Sequence, residues 1–201
     1  MNNMPPCDSV LVHAAQQLNA AGIRWAVFAG TAASLYGASR PVTDLDVLVP
    51  AAEVDRVTAL FPEAQARQHP GCLVGLGLPG VDIVVGLSSM DLDPPMAIRL
   101  THHPLHGTML PVIPREDNIL LKALLGRGPE QGKHDWADVE AMMAHAPSLD
   151  WNYIRWRSGT LRSPIDGSSI LERLQALWLQ VGDRQATDET YSSLEEKNDQ
   201  A

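Results

Sequence analysis

Two carboxylates one residue apart, Asp44 and Asp46, open the apolar run Leu45, Val47, Leu48 and Val49. Side chains at i and i+2 of a strand leave from the same face. Two acids held that way repel unless a cation lies between them. An all-oxygen pair suits a hard metal such as Mg²⁺, which commonly shares its shell with substrate phosphates. A bare Asp-x-Asp reads more often as two unrelated acids at a strand edge, so context decides. Asp82 follows the Pro79-Gly80 turn inside Val81-Asp82-Ile83-Val84-Val85. An acid there is offset by a metal or a partner, or else sits at the exposed mouth of a hairpin. Upstream, Gly30-Thr31 separates the apolar residues 25–29 from a short helix. Backbone N–H groups at such a junction favour an anion. Gly30 lets a phosphate come close, and Thr31 adds a hydroxyl.

These residues need elements to position them. Val10, Leu11, Ala14, Ala15, Leu18 and Ala21 recur at helical spacing behind a cap at Asp8 or Ser9, and Gly22 ends that helix. Residues 25–29 read as a buried strand, 31–36 as a short helix, 44–49 as a second strand and 51–60 as a helix. Residues 73–78 and 81–85 form a hairpin around Pro79-Gly80. Residues 94–114 hold one or two short strands. Helices follow at 115–126, 135–145 and about 168–181. The order predicts an α+β fold, a small mixed β-sheet with flanking helices and a helical C-terminal half. It divides into a core (1–113), a helical region (114–182) and an acidic tail (183–201) expected to be disordered.

The bulk properties exclude some functions. The chain has 201 residues, 45% of them hydrophobic, and a net charge of −9. No run approaches the roughly 20 apolar residues of a membrane helix, and the N-terminus has no signal-peptide character, so a cytoplasmic, membrane-free protein is expected. Cys7 and Cys72 read as reduced thiols, without zinc spacing. The acidity weighs against sequence-independent binding to nucleic acid. It is uneven, however: residues 183–201 carry six acids against two bases, while residues 99–173 balance nine against nine.

The run Ala29-Gly30-Thr31-Ala32-Ala33-Ser34-Leu35-Tyr36-Gly37-Ala38-Ser39-Arg40-Pro41-Val42-Thr43-Asp44-Leu45-Asp46-Val47 resembles the signature of the minimal nucleotidyltransferases of the DNA polymerase beta superfamily. That signature is a Gly-Gly or Gly-Ser start, a short helix, an Arg-x-x-Thr step and Asp-x-Asp. Asp82 matches the third carboxylate of the pattern. Residues 114–122 and 133–140 resemble the helical half of AbiE-type and MenT-type members, which carry a Lys and a downstream Asp in the active site. The resemblance therefore implies Lys122 and Asp138 as further catalytic residues, with Lys133 and Asp135 as alternates near the nucleotide. It spans residues 25–143. Thr31 stands where the second Gly or Ser is usual, and residues 88–114 match nothing in the pattern.

Several of these residues keep a second reading. Lys122 could snorkel from an apolar helix face. Asp135 and Asp138 could simply favour the N-terminal helix dipole. Arg40 could reach a triphosphate or pair with Asp44. His102, His103 and His106 lack the carboxylate or Cys that would complete a metal set, and neighbours in a strand face opposite ways. Trp151 and Trp156 suit a packed helix end better than a base-stacking surface.

The resemblance implies transfer of a nucleoside monophosphate from an NTP to an acceptor hydroxyl. Two Mg²⁺ ions, with Mn²⁺ as the alternative, would sit on Asp44, Asp46 and Asp82. The acceptor would be tRNA, protein or a small molecule, and a toxin with an antitoxin partner is the favoured member. The competing expectations are an inactive nucleotide-binding module and an antibiotic-modifying enzyme.

Overall fold

The computed structural model describes residues 6–39, 41, 44–69, 71–105, 108–161 and 167–198, with side chains between residues 10 and 182. Helix α1 (Pro6–Ala20) buries Leu11, Ala14, Ala15 and Leu18, the i, i+3, i+4, i+7 stripe that the sequence predicts. Strand β1 (Ala26–Val27), helix α2 (Ala29–Leu35), strand β2 (Leu45–Val49) and helix α3 (Val54–Leu60) follow. Strand β3 (Gln65–Arg67) precedes the hairpin of β4 (Cys72–Leu78) and β5 (Val81–Leu87). Gly80 turns that hairpin with φ at 74°, in the left-handed region that glycine enters without a Cβ penalty.

Residues 94–114 hold more than strands: a short helix α4 (Pro94–Ala97) comes first, then β6 (Thr101–Leu105) and β7 (Thr108–Val112). Asp93 caps α4 by accepting from the Met96 N–H at 3.1 Å, and proline opens the helix, a start signal inside a segment with little periodicity. The helical half is α5 (Arg115–Leu125), α6 (Asp135–Ala144), α7 (Trp151–Ser158) and α8 (Gly167–Asn198). Helix α8 runs well beyond the expected end near residue 181 and into the acidic segment expected to lack order, as far as Asn198. After Gly182 that segment contains neither Gly nor Pro, the two strongest helix breakers.

The sheet is mixed, as expected, but larger than the short runs suggested. Its seven strands are ordered β3-β4-β5-β2-β1-β7-β6. The β2–β5 and β1–β7 pairs are parallel and the other four antiparallel. Val47, Leu48, Val49, Ile83, Val84 and Val85 of the central strands are all buried, so these strands read as continuous apolar runs rather than alternating ones. Helices α1 and α3 pack together, with α1 also against β5 and α3 against β4; α2 packs against β2, α5 and α6. Among the described residues no helix is long and apolar enough to cross a membrane.

Tyr36 anchors the end of α2. Its hydroxyl donates to the Ile113 carbonyl at 2.7 Å and lies 2.8 Å from the Thr101 hydroxyl, and its ring stands edge-on to His103. Tyr36→Phe leaves the buried Ile113 carbonyl without that donor. The expected cost is about 1–2 kcal/mol, read as a lower urea midpoint at unchanged slope.

Candidate active site

The parallel pairing of β2 with β5 sets Asp46 directly opposite Asp82, and residues in register on neighbouring strands share a face. Asp44 lies two residues before Asp46 and joins them. Ligand oxygens of all three lie within 4.8 Å of one another. Among the described residues this is the one group of three or more His, Cys or carboxylate residues so placed. Asp46 shows the cost: burial, then the charges of Asp44 and Asp82, push its carboxyl up to about 7, against partial relief from Lys122 and Lys133. Three acids thus converge on one face of the sheet.

The loop before α2 is built differently from its sequence reading. The residue in the left-handed region is Ala29, with φ at 52°; Gly30 already lies in the first turn of α2. A side chain in that conformation costs roughly 1–2 kcal/mol. Asn118 of α5, fully buried, holds the kink by donating from Nδ2 to the Ala29 carbonyl at 3.1 Å. Thr31 is buried, and its hydroxyl donates to the Asp44 carbonyl at 3.3 Å. As placed, that hydroxyl ties α2 to the carboxylate strand. Arg40 lies outside the described residues.

Lys122 does not snorkel. Its side chain is 2% exposed, with Nζ 2.9 Å from Asp135 and 2.8 Å from Asp138, which are 0% and 3% exposed. Arg127 completes the cluster, its Nε 2.8 Å from the second Asp135 oxygen. Burial alone would raise the Asp135 carboxyl, but hydrogen bonds from Arg127 and Lys122 and their charges hold it below the ordinary range. Asp135 and Asp138 are thus ion-pair partners, with a helix N-terminus as their setting. A cleft of about 470 Å³ opens beside them, lined by Ala38, Ser39, Gly132, His134 and Asp138. Lys133 is exposed near its rim, close enough to act on Asp46.

Two further residues at the carboxylates carry no sequence pattern of their own. Arg67 places Nε 3.8 Å from Asp82 and His69 places Nε2 3.7 Å from it. Both reach Asp82 across β4. The histidines singled out earlier go elsewhere: His102 is exposed, His103 packs on Tyr36, and His106 lies outside the described residues. Trp151 packs edge-on against Trp178 of α8, whereas Trp156 is 48% exposed beside Tyr153. Cys72 is a free thiol.

No family model matches the sequence, and no curated protein matches it. Solved structures do. An antigenic nucleotidyltransferase-like protein from Paracoccidioides brasiliensis superposes with a TM-score of 0.52 at 19% identity, covering 90% of each chain. Lincosamide antibiotic adenylyltransferase LnuA, solved with lincomycin, gives 0.48 at 11% identity over 72% of this chain and 100% of its own. Antibiotic-resistance factor ANT(2'')-Ia gives 0.48 at 12% identity over 92% and 98%. The fold of this chain is the nucleotidyltransferase fold.

Proposed function

We propose that the chain moves a nucleoside monophosphate from an NTP to an acceptor hydroxyl and releases pyrophosphate. The observation that carries this reading is the convergence of Asp44, Asp46 and Asp82 from two parallel strands. Their all-oxygen donor set, with Asp46 partly buried and strained by its neighbours, fits Mg²⁺ or Mn²⁺. Bound there, the ions would neutralise phosphate charge and align the attacking and leaving oxygens.

The remaining roles belong to the chain. The acceptor oxygen bonds to the α-phosphorus as the bond to the pyrophosphate oxygen breaks, and the hydroxyl proton passes to Asp82, which lies on the β5 side of the group. The cleft beside Asp138 takes the nucleotide, with Lys133 at its rim and Gly30 allowing close approach to the backbone. Thr31 and Asn118 hold the α2 loop against the carboxylate strand. Lys122 fixes α5 to α6 and adds positive potential at Asp46. The finer reading, a toxin acting on tRNA with an antitoxin partner, is supported by the resemblance of residues 114–140 to AbiE-type and MenT-type helices.

The test is incubation with each labelled NTP, Mg²⁺ and a cell lysate, following pyrophosphate and the destination of the label. Label entering RNA, protein or a small molecule, with matching pyrophosphate, is the expected result. NTP binding without release under every acceptor condition would instead indicate an inactive nucleotide-binding module.

A further inference from the structure

Arg67 and His69 reach Asp82 only because β4 is bare beneath them. In β3–β4 pairing Arg67 lies opposite Gly75, and in β4–β5 pairing Gly77 lies opposite Asp82. Arg67, Gly75, Gly77 and Asp82 therefore share one face. A Cβ added at Gly77 would sit 2.4 Å from Arg67 Nε, and one at Gly75 would sit 2.4 Å from the Arg67 carbonyl oxygen and 2.7 Å from His69 Cδ2. The two side chains lie flat over the glycines. Glycine inside a strand weakens it and marks a close approach of other groups.

Stability does not account for the arrangement. The Arg67 side chain is 54% exposed, and such an ion pair contributes about 0–1 kcal/mol. The His69 Nε2 atom is buried without a hydrogen-bond partner among the described residues and stands too far from Asp82 to donate well. What results is a guanidinium open to solvent and an imidazole, both beside the third carboxylate of an otherwise acidic chain.

We infer that Arg67 and His69 form the acceptor-side wall of the site and select an acceptor bearing a phosphate near its attacking hydroxyl. This rests on the transfer reading, in which Asp82 faces the acceptor. Sheet order separates the two sides: β3 and β4 lie beyond β5, whereas α2, with α5 and α6 packed on it, lies toward β1 and β2. The nucleotide cleft and Lys133 belong to the helical side, leaving the β3 side for the acceptor. A guanidinium fork matches phosphate oxygens in pairs. The Arg67 cation would also disfavour a polycationic acceptor.

The test is a binding titration with Mg²⁺ present and the nucleotide cleft filled by a non-hydrolysable NTP analogue. The probes are a fluorescent oligoribonucleotide with a free 3′-hydroxyl, ribose 5-phosphate, and an aminoglycoside. Wild type should bind at least one phosphate probe, and bind it more tightly than the aminoglycoside. Tighter binding of the oligonucleotide points to a nucleic-acid end; equal or tighter binding of ribose 5-phosphate points to a small phosphorylated acceptor. Arg67→Gln should weaken the phosphate probe at least about tenfold, and His69→Gln less, with NTP affinity within about twofold of wild type. Unchanged phosphate binding in Arg67→Gln, tighter binding of the aminoglycoside, or no binding of either phosphate probe to wild type would overturn the assignment. The readout does not depend on turnover. Pyrophosphate release with Arg67→Gln binding unchanged rejects this inference alone, whereas Arg67-dependent binding without release in any condition rejects the transfer reading and leaves Arg67 in a phosphate-binding site.

Discussion

Asp46→Asn will lower the rate of transfer by on the order of a thousandfold or more, and in EDTA at pH 8 it will make the protein more stable. Loss of activity alone would fit almost any damaged site; the paired gain in stability would not. Asp46 is partly buried between Asp44 and Asp82, and burial together with those charges pushes its carboxyl up to about 7 from an ordinary 3.8. A carboxyl raised on folding contributes stability in acid and loses it as pH rises through the folded value. Metal-free wild type should therefore lose stability between about pH 4 and pH 7 from this group. One pKa unit corresponds to about 1.4 kcal/mol, which puts the loss at roughly 2–4 kcal/mol once relaxation is allowed for.

Asparagine keeps the shape and removes the charge. In EDTA the variant should melt roughly 5–10 °C above wild type at pH 8, with the gap closing toward pH 5. Adding Mg²⁺ should raise the wild-type midpoint strongly at pH 8 and the variant's weakly, because a cation offsets the repulsion that the variant lacks. Melting curves with and without Mg²⁺ from pH 5 to 8 measure all of this. A wild-type midpoint that is flat with pH in EDTA and unmoved by Mg²⁺ would remove Asp46 from the metal site. Asp135 works in the opposite direction: its carboxyl is held low, so its contribution is present at neutral pH and is lost only in acid.

The carboxylates were legible because strand period and turn chemistry are local. Asp44-x-Asp46 ahead of an apolar run, and Asp82 after Pro-Gly, follow from residues within a few positions of each other. Their register is not local. That Asp46 faces Asp82 depends on a parallel pairing across more than thirty residues, which the resemblance supplied and periodicity could not. Lys122 shows another limit. An apolar helix with one lysine suits snorkelling and burial equally; Asp135 and Asp138 on a second helix decide between them. Arg67 and His69 stayed hidden because Gln65-Ala66-Arg67 is an exposed edge strand without an apolar face. The available signal was indirect: Gly75 and Gly77, two residues apart inside a strand, where side chains would ordinarily be wanted. Gly30 drew attention as the point where a phosphate could approach the backbone, yet the strained residue of that loop is Ala29, whose carbonyl is held by Asn118 from a distant helix.

The buried cluster on α5 and α6 supports the second large effect: Lys122→Met should destabilise the fold by about 3–5 kcal/mol. Methionine fills much of the same volume, so the cost is electrostatic. Asp135 keeps Arg127, with Nε at 2.8 Å, but Asp138 loses the ammonium at 2.8 Å while remaining 3% exposed. A buried carboxylate deprived of that ammonium is costly to keep charged. The double variant Lys122→Met/Asp138→Asn separates this from simple misfit. Removing that charge as well should restore roughly half or more of the loss, giving a coupling energy well above that of an exposed pair. Urea unfolding of the four proteins of the cycle measures it. Equal losses in the single and double variants would mean that packing of the lysine stem, and not its charge, holds α5 to α6. The same cycle bears on chemistry, because Lys122 also lowers the Asp46 carboxyl. Without it the metal-free protein should show a steeper fall in stability from pH 5 to pH 8, which ties the helical half to the carboxylates through charge as well as through packing.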